Sequence, residues 1–113
     1  MKKKIEDIKP ILDEIKKNLE NFYGNRLNTL ILYGSYARGD ATDDSDIDLI
    51  ILLNDMNDTC EEILRFSQYL GDLELIYDTL ISILPFDANE FENGHLPVIL
   101  NAKKEGILVY ERG

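Results

Sequence analysis

The chain has one cysteine, one histidine and few cations. A lone Cys60 cannot form an internal disulfide, and no spacing of a zinc site is present. Cys60 reads as a small residue near a helix start. His95 lies in the turn-like stretch Asn93-Gly94-His95-Leu96-Pro97 and reads as a solvated side chain, not a catalytic one. No apolar run is long enough for a membrane span. Met1-Lys2-Lys3-Lys4 is basic, but an amphipathic pattern follows it where a signal peptide needs an apolar core. A cytoplasmic location is therefore expected, with no membrane association. Lys and Arg number 12 against 22 Asp and Glu, giving a net charge of −10 and a pI near 4.4. That shortage of cations argues against direct nucleic-acid binding, because such affinity comes from Lys and Arg neutralising phosphates. Internal repeats, linkers and low-complexity segments are also missing. A single domain over residues 1–113 is expected, with an N-terminal helix in residues 1–26 and a core in residues 27–113.

Hydrophobic residues make up 44% of the chain, enough for a core. The acids are unevenly placed. From Asp40 to Glu62 there are nine and no Lys or Arg, so this segment faces either cations or a basic partner.

Ile5, Ile8, Ile11, Leu12, Ile15, Leu19 and Phe22 recur at helical steps and predict an amphipathic helix from about Ile5 to Tyr23. Pro10 marks either a kink or the true first turn. Gly24-Asn25 ends the helix. Leu27 to Tyr33 is a strand, and Gly34 to Gly39 is a turn plus one helical turn. Asp46 to Leu53 is a second strand, apolar on both faces, which belongs in the middle of a covered sheet. Thr59 to about Ile76 is a second long helix, whose apolar positions are Ile63, Phe66 or Ser67, Leu70, Leu73 and Ile76 or Tyr77. Asp78 to Leu84 is a third strand, stopped by Pro85. Asp87-Ala88-Asn89-Glu90 has the form of a capping box and starts a short helix. Pro97 to Glu105 is a further helix, and Ile107 to Tyr110 a short last strand. The order predicts an α/β domain, helices packed on a sheet of about four strands.

The chemistry-bearing residues cluster in Leu30–Leu53. Gly34 permits a turn that other residues resist, and Ser35 then starts a short helix whose N–H groups and hydroxyl suit phosphate. The plain alternative is a turn glycine with a capping serine. Eleven residues after Ser35 come Asp46 and Asp48. Strand alternation puts both carboxylates on one side, about 6.5–7 Å apart between Cα atoms. Like charges so close repel, and a hard divalent cation, Mg²⁺ or Mn²⁺, would relieve them. A solvated acidic strand end is the plain alternative. Asp78, also at the edge of an apolar run, is the candidate third carboxylate and general base, if its strand lies beside the second. Otherwise it is a turn residue. Asp72 and Glu74 are weaker rivals. Arg38 contacts a phosphate or only balances nearby acids.

Gly34-Ser35, Arg38-Gly39 and Ser45-Asp46-Ile47-Asp48-Leu49, at this spacing, resemble the signature of the polymerase β-type nucleotidyltransferase superfamily. Tyr77-Asp78 with Leu80-Ile81-Ser82 looks like that family's third-carboxylate strand. The stretch Leu100 to Ile107 looks like the tail of its smallest members. The short chain points to the minimal nucleotidyltransferases, the MntA-like proteins paired with a HEPN-domain protein. The resemblance implies an α/β (α+β) fold with a mixed sheet flanked by helices. It implies Mg²⁺ on Asp46, Asp48 and Asp78, and nucleotide phosphates on Gly34 and Ser35, with Arg38 and Ser45 in the same signature. It also implies transfer of AMP from ATP to a tyrosine of a HEPN ribonuclease toxin, which silences it. The chain has no room for a separate acceptor-binding domain, and its acidic surface suits a basic protein partner. Occlusion of the HEPN protein without catalysis, and a small-molecule or RNA acceptor, are the competing readings.

Overall fold

The computed structural model describes residues 2–111. The two ends of the expected 1–113 domain, Met1 and Arg112-Gly113, lie outside the described residues. Helix α1 spans Ile5–Tyr23, as its periodicity predicts. Ile8, Ile11, Leu12, Ile15 and Leu19 are buried, and the stripe continues to Tyr23 and not to Phe22, which is 56% exposed. Leu19 plus one helical repeat of four falls on Tyr23. The phenol's polar end is met by Glu62, to whose Oε1 it donates at 3.1 Å. Pro10 lies inside the helix, past its first turn. It is exposed, as is Glu6 one turn earlier, so water can serve the carbonyl that proline leaves without a donor.

After a 3-10 turn at Gly24–Arg26 come β1 (Leu27–Tyr33), α2 (Ser35–Arg38), β2 (Ile47–Leu53) and α3 (Thr59–Tyr77). Then follow β3 (Ile81–Asp87), α4 (Ala88–Asn93), α5 (Pro97–Glu105) and β4 (Ile107–Glu111). The sheet order is β3-β2-β1-β4. β1 runs antiparallel to β2 and β4, while β2 and β3 are parallel. The expected mixed four-stranded sheet is thus found, with β2 central. Its two apolar faces build two layers. Ile47, Leu49, Ile51 and Leu53 pack with α1 and with Phe66, Leu70 and Leu73 of α3. Ile50 and Leu52 pack with Ile31, Phe91 of α4, and Ile99 and Ala102 of α5.

Two expectations are corrected. In α3, Ile63 and Ile76 are 38% and 70% exposed. The buried stripe runs Glu62, Phe66, Leu70, Leu73, with Tyr77 packed beside it. A carboxylate takes the inward position near the helix start because Tyr23 and the Arg26 guanidinium (2.9 Å) both serve it. The third strand does not start at Asp78, nor does Pro85 stop it. Pro85 sits inside β3 opposite Ile51. This is possible because β3 is an edge strand, where a missing N–H costs no ladder bond. Asp87 then caps α4, accepting from the N–H groups of Asn89 (3.1 Å) and Glu90 (3.4 Å). Among the described residues no helix is long and apolar enough to cross a membrane.

Candidate active site

Gly34 ends β1 with φ 76° and ψ −154°, a conformation L side chains resist. A Cβ there would also collide with Asp48 Oδ2 and stand 3.2 Å from Asp48 Cγ. Two independent constraints therefore demand glycine, and both follow from how closely the turn approaches the carboxylate. The chain then winds into α2: the Arg38 N–H donates to Gly34 O (3.0 Å), and Gly39, at φ 82°, ends the turn. Asp40 N–H returns to Ser35 O at 3.0 Å.

The loop that follows is closed on itself. Ser45 N–H donates to Thr42 O (3.0 Å), and Ser45 Oγ accepts from Thr42 N–H (2.8 Å). Ser45 thus secures the loop that delivers Asp46. Asp46 is exposed just before β2, and Asp48 is half-buried inside it. Burial pushes the Asp48 carboxyl above its usual range, and the charge of Asp46 pushes it further; Arg38 opposes both. The Arg38 guanidinium itself pairs with Asp40 (3.4 Å) and Glu105 (3.8 Å). These contacts balance charge locally, and the exposed guanidinium also acts on Asp48.

Alternation along β2 puts Asp48 on the face of Ile50 and Leu52, toward α4 and α5. Its neighbours across the ladders are Tyr33 on β1 and Ser82 on β3. The Tyr33 phenol is pushed above its usual range by burial and then by the Asp48 charge. Neither residue is singled out by sequence reasoning. Tyr33 reads as the end of an apolar run, and only the register of β3 against β2 reveals Ser82.

Asp78 does not open β3. It is the left-handed cap of α3, at φ 52°, and its N–H donates to Glu74 O. It lines a hollow with Ile8 and Ile11 of α1, and with Tyr36 of α2 and Asp43 of the loop before β2. Ile8, Ile11 and Tyr36 belong to the α1/α3 layer. The structure thus brings together Gly34, Ser35, Asp46 and Asp48, while Asp78 caps α3 and has no place on the strand paired with β2. Among the described residues no three His, Cys, Asp or Glu side chains gather as a metal cluster. The donor set still fits a hard cation. Asp46 and Asp48 offer carboxylate oxygens, burial and then the Asp46 charge raise the Asp48 carboxyl, and Mg²⁺ takes one or two protein carboxylates with phosphate and water completing its shell.

The family profile described as "Polymerase beta, Nucleotidyltransferase" matches residues 13–113. A protein of Methanocaldococcus jannaschii provisionally named a protein adenylyltransferase is 38% identical over 106 residues, 94% of this chain and 97% of that protein. Another of the same organism and provisional name is 38% identical over 76 residues, 67% of this chain and 76% of the relative. Among solved structures, a nucleotidyltransferase so named provisionally from Sulfolobus solfataricus has a TM-score of 0.68 at 20% identity, covering 96% of this chain and 86% of that one. A toxin–antitoxin with AMP-PNP matches with a TM-score of 0.65 at 19% identity, covering 89% and 73%. The complex of the tri-AMPylated Shewanella oneidensis HEPN toxin with its MNT antitoxin matches at 0.56 and 15%, covering 91% and 72%. At these identities the structural likenesses speak for the fold.

Proposed function

This chain belongs to the polymerase beta nucleotidyltransferase family, and from that membership we propose that it transfers AMP from ATP to a tyrosine of a HEPN-domain toxin, acting as that toxin's antitoxin in the cytoplasm. The contact of Gly34 with Asp48, with Asp46 acting on the same carboxylate, carries this reading. The acceptor oxygen attacks the α-phosphorus, the bond to the bridging oxygen breaks, and pyrophosphate leaves. Asp46 is the exposed carboxylate of the pair, open to the incoming hydroxyl, and takes its proton. Asp46 and Asp48 would hold Mg²⁺, or Mn²⁺, whose charge offsets that of the triphosphate. Gly34 and Ser35 hold phosphate oxygens at the turn, where a side chain on residue 34 would exclude them. A protein acceptor is supported by the provisional names of the curated relatives and by the acid-only run from Asp40 to Glu62.

One observation favours a second reading. Ser82, not a carboxylate, stands beside Asp48 on β3. A site with two carboxylates suits an antitoxin that binds nucleotide and neutralises its partner by occlusion. Co-expression of the partner with the wild type or with the Asp46→Asn/Asp48→Asn double variant, followed by mass spectrometry, separates the two. Transfer predicts AMP increments on the partner that vanish in the variant. Labelling at the wild-type rate in the variant refutes it. Full neutralisation by the variant without labelling establishes occlusion.

A further inference from the structure

The basic segment Lys2-Lys3-Lys4 has no part in the site above, yet it is firmly placed. Lys2 forms an antiparallel bridge with Thr42, and Lys3 N–H donates to the carbonyl of the buried Ala41 at 2.8 Å. Lys4 N–H donates to Asp7 Oδ2 at 2.7 Å, which fixes the start of α1. The segment is thus strapped along the loop that follows α2. Between it and α2 lies a hollow of about 430 Å³.

Lys2, Lys3, Lys4 and Arg38 all line this hollow, and Glu6 is the single acid among its lining residues. In a chain with 12 cations and a net charge of −10, this concentration runs against the overall field. Lys3 Nζ lies 3.8 Å from Asp43, and Arg38 pairs with Asp40 and Glu105. Among the described residues no carboxylate is in ion-pair contact with Lys2 or Lys4. Like charges gathered in one concavity repel unless an anion joins them. Helix α1 begins at the same place, with Glu6 and Asp7 in its first turn.

We propose that the hollow between Lys2–Lys4 and α2 is a second phosphate-binding site, separate from the Asp46–Asp48 site. Its volume suits a small ligand and not only a single ion. The ligand chemistry is a phosphate group approached by several ammonium donors, and two sources share it: free pyrophosphate, or a phosphoester carried by a nucleotide. The inference does not depend on AMP transfer: Lys2, Lys3 and Lys4 lie outside that site, and of the four cations Arg38 alone also acts on Asp48.

The test titrates the isotopically labelled protein with inorganic pyrophosphate, AMP or sulfate, each in metal-free buffer of fixed ionic strength. Removing metal keeps the carboxylate pair from recruiting the anion. Amide shifts are expected at Lys3, Ile5, Ala37 and Gly39. Lys2→Gln/Lys4→Gln should weaken binding by about tenfold per lysine, as lost charged hydrogen bonds do. Asp46→Asn/Asp48→Asn should keep these shifts. An unchanged thermal midpoint in the lysine variant shows that the strap still folds. Tighter binding of pyrophosphate than AMP identifies the free anion as the source, and the reverse identifies a phosphoester. Absence of shifts, shifts confined to Gly34–Ser35, or equal affinity for sulfate would overturn the proposal.

Discussion

Two corners of this molecule hold a carboxylate near the start of an apolar strand, and only one is built as a site. At the β1–α2–β2 corner the Gly34 backbone lies against Asp48, and Asp46 acts on the same carboxylate. At the α3–β3 corner Asp78 caps a helix and lies outside the β2–β3 pairing, which begins at Ile81. The difference lies in what fixes each residue. Asp48 is placed by strand pairing and by the glycine turn that ends the neighbouring strand β1, so its surroundings follow from one strand-turn-strand unit. Asp78 depends on where a 19-residue helix stops, and α3 runs through Tyr77.

Gly34→Ala attacks the first corner and should have the largest effect. The new Cβ meets the Asp48 carboxylate, and φ 76° strains any L residue. Backbone strain of this kind costs about 1–3 kcal/mol. Relief requires Asp48 to move, and a displacement near 1 Å costs about 10²-fold in rate. Chemical denaturation and AMP-transfer assays together check this. Wild-type transfer by a stable Gly34→Ala protein would show that the close approach is incidental.

Ser82→Asp tests whether the first corner lacks what the second failed to supply. A carboxylate at 82 stands beside Asp48 across the parallel ladder. The three acids should repel without metal and lower the thermal midpoint. Millimolar Mg²⁺ with ATP should then raise that midpoint more in the variant than in the wild type, since a ligand stabilises the state it binds. An equal rise in both proteins would mean that Ser82 faces away from the metal and nucleotide.

These contrasts explain what was legible. The boundaries of α1, β1 and α5 follow from periodicity and from Gly and Pro at their ends. The Gly34/Asp46/Asp48 grouping follows from spacing within one strand-turn-strand unit. Ser82 was hidden because it depends on a parallel register set by packing of the whole α3 layer. Pro85 misled because its tolerance depends on β3 being an edge, a fact of sheet order. Glu62 took an inward position that hydrophobic periodicity gives to Ile63, and only its long-range partners Tyr23 and Arg26 account for it.

Asp48→Asn probes the electrostatics of the working corner, with a smaller effect. The folded protein holds the Asp48 carboxyl above the usual 3.8, so the fold binds more protons than the unfolded chain between those values. Stability from this group therefore falls as pH rises through that window, and the penalty stays constant above it. The neutral variant should be the more stable protein at pH 7, and the difference should shrink in acid as Asp48 takes its proton. Thermal midpoints across pH 3–7 measure this. A variant less stable at pH 7 would mean that the cost of burying the charge, and the Asp46 repulsion beside it, are already compensated within the chain.

Asp78→Gly should have the smallest effect, and in the opposite direction from a catalytic loss. Residue 78 occupies the left-handed position after α3, at φ 52°. Glycine adopts that conformation without a Cβ penalty, so stability should hold or rise by up to about 1 kcal/mol. Residue 78 caps α3 and lies outside the β2–β3 pairing, so AMP transfer should stay within about twofold, the scale of a variant that touches no transition-state contact. Parallel denaturation and transfer measurements read both quantities. A stable Asp78→Gly protein that had lost transfer would place a functional carboxylate at the second corner, and the contrast between the two would collapse.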